Sequence, residues 1–130
     1  MMDVSFKIDY PPTKAQRTQW ASDYSLNAYY GGKHWSVRAK DAEYWHMLTV
    51  DALHRAKIPK RIYDKPVRVV ICYNDGWDID NHGAVTKMII DAMKGYVIKD
   101  DTRKYVNEVT QRFWKRDYIG VYITESEEEI

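Results

Sequence analysis

The run VRVVICY, Val67 to Tyr73, limits the fold more than any other part of the sequence. It is β-branched and nearly all apolar, which predicts a central strand covered on both faces. Asn74-Asp75-Gly76 breaks it. Such a strand needs neighbours. Val4 to Ile8 alternates as one, and Pro11-Pro12 stops it. Tyr105 to Trp114 and Tyr118 to Thr124 alternate as two more, and Lys115-Arg116-Asp117 between them reads as a hairpin turn.

Two helices are predicted to cover this sheet. One spans Ser36 to about Lys57, with Ser36 as N-cap, a buried stripe of Trp45, Leu48, Ala52 and Ala56, and Pro59 beyond its end. The other runs from about Asp80 to Lys94, with Gly95 as its stop. Thr13 to Trp35 is polar, contains Gly31-Gly32, and reads as mainly loop. The expected architecture is α+β: a small mixed β-sheet with two main helices packed on it, in a single domain over residues 1–124, followed by an acidic C-terminal tail over 125–130.

The 130 residues are 45% hydrophobic and 30% charged, the balance of a soluble globular chain. No apolar run approaches the length of a membrane helix, and the start, MMDVSFKIDY, lacks the layout of a signal peptide. A single cysteine, Cys72, excludes an intramolecular disulfide and a cysteine-built zinc site. These features point to the cytoplasm. The formal charge of +1 conceals an uneven spread: the tail ESEEEI carries four glutamates, and without them the charge rises by four to +5. Basic residues gather at Lys33, His34, Arg38 and Lys40, at Arg55 to Arg68, and at Arg112, Lys115 and Arg116. Such clusters neutralise phosphates, although a mixed, solvated surface has the same composition.

The stretch WDIDNHGAVTKMIIDAMKGYVIKDD, Trp77 to Asp101, concentrates the candidate chemistry. At about 100° per residue, Asp80, Ala84, Lys87 and Asp91 share one helical face, beside an apolar arc of Val85, Met88, Ile89 and Ala92. A Lys87–Asp91 salt bridge and a helix-capping Asp80 are the ordinary explanations. The full set of Asp78, Asp80, Asp100 and Asp101 is harder to place without a cation. A hard divalent ion with oxygen ligands relieves that repulsion, and a lysine beside it suits a phosphodiester.

The motifs Asp78-Ile79-Asp80-Asn81, Lys87-x-x-x-Asp91-Ala92-Met93 and Gly95 through Asp100-Asp101 resemble the RusA-type Holliday junction resolvases in order and spacing. An upstream block is also similar: Ser25-Leu26-Asn27-Ala28-Tyr29-Tyr30, then His34-Trp35 and Arg38-Ala39-Lys40. Together the blocks frame roughly residues 24–110. In the family's short form the lysine follows the second aspartate by four residues; here it follows by seven, a spacing that returns to the same helical face. The resemblance implies a homodimeric, Mg2+-dependent endonuclease, with Mn2+ as a possible substitute and no small organic cofactor, encoded in a bacterium or prophage. It implies that Asp78, Asp80 and Asp101 hold the metal, with Asp100 the fallback for Asp101, and that Lys87 assists at the scissile phosphate. Asp91 would orient Lys87 from behind, and Asn81 would either hold a carboxylate from behind or contact DNA. Asn27, Tyr29, Tyr30, Lys33, Arg38 and Lys40 would contact DNA. The implied reaction makes paired nicks in a four-way junction or other branched DNA, leaving 5′ phosphate and 3′ hydroxyl ends. The aromatics of the 20–35 segment either stack on unpaired bases or pack the protein itself. His82 has no spacing that demands a role. Two other readings are a junction-binding protein that does not cleave, and a small Mg2+-dependent nucleotide phosphohydrolase; the latter lacks a glycine-rich phosphate loop.

Overall fold

A computed structural model describes residues 3–126. The elements are β1 (Val4–Asp9), α1 (Lys14–Tyr24), α2 (Leu26–Tyr30), α3 (Trp35–Arg55), β2 (Val67–Tyr73), a 3-10 turn (Ile79–His82), α4 (Gly83–Met93), β3 (Val106–Phe113) and β4 (Tyr118–Glu125). The four strands form one mixed sheet in the order β1-β4-β2-β3, so the domain is α+β as expected. Strand β2 is internal, antiparallel to β4 and parallel to β3. The expected tail is only partly visible: Glu125 ends β4, paired with Val67, while residues 127–130 lie outside the described residues. Among the described residues, no helix is long and apolar enough to cross a membrane.

Alternation decides what each face of the sheet does. Phe6, Ile8, Val69, Ile71, Tyr73, Ile119, Val121 and Ile123 point one way and are buried beneath the helices. The opposite face includes exposed Ser5, Lys7, Arg68 and Arg112. The central strand is therefore fully covered on one face and only partly on the other, where Arg68 is exposed, Val70 half-buried and Cys72 buried, so the expectation of two covered faces holds in part.

Lys115-Arg116-Asp117 does not close a hairpin. Strands β3 and β4 flank β2 instead of pairing with each other, and the link crosses the end of β2, where the Trp114 N–H donates to Tyr73 O at 3.0 Å. Trp114 then folds back over β4, its Nε1 donating to Tyr118 O at 2.9 Å. Gly120 makes room for this: a Cβ there would lie 2.2 Å from Trp114 Cη2.

The segment expected as loop contains two helices. Thr13 and Gln16 form a capping box, in which Thr13 Oγ1 accepts from Gln16 N–H at 3.1 Å and Gln16 Oε1 accepts from Thr13 N–H at 3.3 Å. Tertiary packing supplies the rest. Trp20 meets Trp45 at 4.8 Å between ring centroids, and Tyr24 meets Trp45 at 5.5 Å, locking α1 onto α3. Lys33 closes the junction from below. Its ammonium pairs with Asp41, donates to Asp23 O at 2.8 Å, and lies over the rings of Tyr24 and Tyr29.

Two details of α3 also differ from expectation. Its N-cap is His34 rather than Ser36, because the His34 ring Nδ1 accepts from Ser36 N–H at 3.2 Å. Its buried stripe is Trp45, Thr49, Ala52 and Leu53, while Ala56 is exposed at the C-cap, where the helix has begun to turn away.

Replacing Gly120 with Ala is expected to destabilise the fold by about 2 kcal/mol, the usual cost of overpacking. In urea unfolding, Gly120→Ala combined with Trp114→Ala should cost less than the sum of the two single changes.

Candidate functional site

The chain leaves β2 at Tyr73 and must turn from a buried strand to the surface within a few residues. Asp75 organises that turn. Its Oδ1 accepts from the Trp77 N–H at 3.0 Å and its Oδ2 accepts from the Tyr10 hydroxyl at 2.9 Å. Tyr10 Oη in turn accepts from the Asn74 N–H at 2.8 Å, so β1's end and β2's end share one polar knot. Burial pushes the Tyr10 phenol well above its ordinary range; the Asn74 hydrogen bond works against this, and the charge of Asp75 adds to it. Tyr10 is thus held as a donor.

His82, fully buried, completes the knot. Its Nε2 lies 2.8 and 2.9 Å from the two Asp75 carboxylate oxygens, and its Nδ1 lies 3.1 Å from Ile79 O. With Asp75 ionised, both contacts are satisfied when each ring nitrogen carries a hydrogen. The ring is sandwiched between Tyr73 at 4.0 Å and Trp77 at 5.0 Å. Asp75 and His82 were missed at the level of sequence. Seven positions apart across an irregular loop, they share no period, although D-G after a buried strand does mark a turn.

This knot sets where Asp78 and Asp80 stand. Both are exposed, Asp78 as the N-cap of the 3-10 turn and Asp80 within it. Neither carboxylate has an ion-pair partner among the described residues. The expected helix from Asp80 begins instead as this 3-10 turn, and α4 proper starts at Gly83. Ala84, projected onto the charged stripe, is buried, so on α4 itself the stripe reduces to Lys87 and Asp91. Asn81 reaches the other way: its Oδ1 accepts from the Asn27 N–H at 3.4 Å. Gly83 adds to the same contact, since a Cβ there would lie 3.4 Å from Leu26 Cδ1.

The far end of α4 carries a chain of alternating charges. Lys87 donates to Asp91 at 3.0 Å; Lys94 lies 3.1 Å from Asp91, 3.2 Å from Asp101 and 3.9 Å from Asp100. The hydrogen bond to Asp91 is the main cause that raises the Lys87 ammonium above its ordinary range, and the same holds for Lys94. For Asp101, slight burial works upward, but the Lys94 ammonium and the Asp100 contact prevail and hold its carboxyl below the usual range. Gly95, with φ of 77°, makes the turn that returns Asp100 and Asp101 to this cluster, its N–H donating to Ile98 O at 2.7 Å. Lys94 was not among the residues singled out from the sequence.

Asp78 and Asp80 therefore stand at the start of α4 and Asp101 at its end. Among the described residues, no three His, Cys, Asp or Glu side chains converge as a metal-ligand group. The donors nonetheless have the chemistry a hard divalent cation takes, all carboxylate oxygen. Asp101 would exchange the Lys94 ammonium for such an ion.

The upstream block is mixed in character. Asn27, Tyr30 and Lys40 are exposed, whereas Tyr29 is buried, with its hydroxyl 3.4 Å from Arg38 O. Trp20 and Tyr24 are also core residues. The aromatics of this segment pack the protein for the most part, and Tyr30 and the 70% exposed Trp35 are the large rings left outside. No protein-family model matches the sequence, and no curated protein sequence matches it either.

Two outcomes test this geometry. Asp75→Ala should cost about 3 kcal/mol, because it strands His82 inside the fold; Tyr10→Phe should cost about 1 kcal/mol. Denaturant unfolding measures both. Asp101, depressed in the folded state, contributes stability above the ordinary aspartate pKa, and that contribution is lost as pH falls through its lowered value. In Lys94→Met, a carboxyl NMR titration should find Asp101 moved upward.

Proposed function

We propose that the chain is a divalent-cation-dependent endonuclease of the RusA type that nicks four-way junctions or other branched DNA, working as a homodimer. The observation that supports this most is convergence. Two blocks some fifty residues apart in sequence meet at one place: Asn27 on Asn81, and Leu26 on Gly83. A similarity confined to scattered motifs has no need of that meeting.

In this reading Asp78 and Asp80, which have no ion-pair partner among the described residues, would hold the cation, with Asp101, or Asp100 in its place, as the third carboxylate. Mg2+, or Mn2+, held by these carboxylates would supply Lewis acidity for the attacking water and the departing 3′ oxygen. Lys87 stays cationic because Asp91 raises its pKa, and it meets the charge that builds on the phosphoryl oxygens. Asp91 orients Lys87. Asn81 holds α2 against the loop, so Asn27 stands beside the carboxylates. Tyr30 and Lys40 lie on the exposed surface of the upstream block, and Arg38 beside them is half-buried. Lys33 and Tyr29 act from inside: the ammonium of Lys33 is already neutralised by Asp41. Two nicks in opposed strands of a pseudo-two-fold junction call for two copies of one site.

The test is strand-specific nicking of a synthetic four-way junction with and without Mg2+. Paired, metal-dependent nicks are expected from the wild type, with losses of at least a hundredfold in Asp80→Asn and Asp78→Asn at unchanged junction affinity. Tight binding without nicks in either Mg2+ or Mn2+ would replace this reading with a binding module. Cleavage of nucleotides but not junctions would replace it with a phosphohydrolase.

A further inference from the structure

The open face of the sheet has a composition that the carboxylate site does not use. Register places Lys7, Gly120, Cys72 and Arg112 in one row across the four strands, and Ser5, Tyr122, Val70 and Thr110 in the next. Trp114 lies over Gly120, and Tyr118 and Tyr122 stand edge-on to it at 5.1 and 6.0 Å. Tyr122 is 41% exposed. Lys7 sits 5.1 Å from the Tyr118 ring centroid, and the Arg116 guanidinium 6.0 Å from that of Trp114. A depression of about 300 Å³ opens beside Lys7, Tyr118 and Tyr122, with Arg55 on its wall.

The charges here are one-sided. Glu108 is paired with Arg68 at 3.0 Å, and Asp9 with Arg55 at 3.6 Å. Lys7, Arg112, Lys115 and Arg116 have no carboxylate within ion-pair distance among the described residues. An aromatic platform fringed by unneutralised cations fits a ligand that offers flat rings and regularly spaced negative charge. A second copy of this chain, set on this face about a two-fold axis, would bring the same cations toward each other.

We propose that the open face binds single-stranded nucleic acid, with bases stacking on Tyr122 and its neighbours and phosphates met by Lys7, Arg112 and Arg116. Stacking on aromatic side chains is tolerant of sequence because every base has a π-face. A sheet face is a suitable platform because its side chains are held at fixed spacing by the strands beneath. The inference does not rest on cleavage: the carboxylates belong to the helix layer. For a protein that acts on branched DNA, this surface would take the strand left unpaired at the branch.

The experiment is fluorescence anisotropy of a labelled oligothymidylate in EDTA, over a series of salt concentrations. The wild type should bind, and Tyr122→Ala should weaken binding about tenfold. Tyr122→Phe, which keeps the ring, should bind as the wild type does. Arg112→Glu should weaken binding and flatten the dependence on salt. Lys14→Glu, an exposed charge on α1, should change little, and circular dichroism melting should show each variant folded. No binding by the wild type, or undiminished binding by both Tyr122→Ala and Arg112→Glu, overturns the proposal. So does sedimentation showing that Tyr122→Ala turns a dimer into a monomer, which would give this face to a second copy. Because the assay holds no divalent ion and no junction, failure of the nuclease reading leaves its result intact.

Discussion

A half-buried carboxylate bonded to a buried imidazole governs the arrangement of this molecule. Asp75 gathers donors from Tyr10 just beyond β1, from its own loop and from the 3-10 turn, and so ties the end of the sheet to the start of the helix layer. In a low-dielectric interior such a network is close to all-or-none: each member is costly if left alone and strong when complete. The rings of Tyr73 and Trp77 pack on the fully buried imidazole. The exposed acids three and five residues further on thus stand beside this network, although neither carboxylate has an ion-pair partner among the described residues.

The two ends of α4 treat negative charge differently. At its start, Asp78 and Asp80 are near the N-terminal end of helical backbone, where the dipole favours anions at modest strength and leaves them accessible. At its end, Asp91, Asp100 and Asp101 are satisfied by lysine. The cost of separating a partly exposed ion pair is small, since water replaces most of what is lost. Exchange of Lys94 for another cation at Asp101 would therefore be cheap, as the proposed metal role requires.

Long periodic or uniformly apolar segments were legible in the sequence. Val67–Tyr73, the core of α3 and the apolar arc of α4 all carry patterns that only one kind of element satisfies. Helix α1 carries no such pattern, since only Trp20 and Tyr24 of its eleven residues are buried, and its stability comes from rings on α3 that are distant in sequence. The capping box at Thr13 and Gln16 was the local signal available for it. Strand pairing was less legible than strand identity. Turn residues at 115–117 describe how the chain bends and say nothing of which strand lies between the two it joins. On the site, the Lys87–Asp91 pair followed from spacing, but Asp80 does not join their face, because the chain there is a 3-10 turn; the knot behind that turn, and the lysine that holds Asp101, depend on contacts across irregular loops.

Strand β4 lies between β1 and β2, yet it is the last described element in the chain. During synthesis the first and second strands emerge with a gap where their common neighbour belongs. Until β4 arrives, β1 has no partner in the sheet and one edge of β2 is unpaired, both rich in β-branched or aromatic side chains. Local pairing cannot complete this sheet early, so assembly waits for contacts between distant parts of the chain, which slows folding. A nascent chain halted before Tyr118 would expose two adhesive edges at once, and is the form most in need of protection from aggregation.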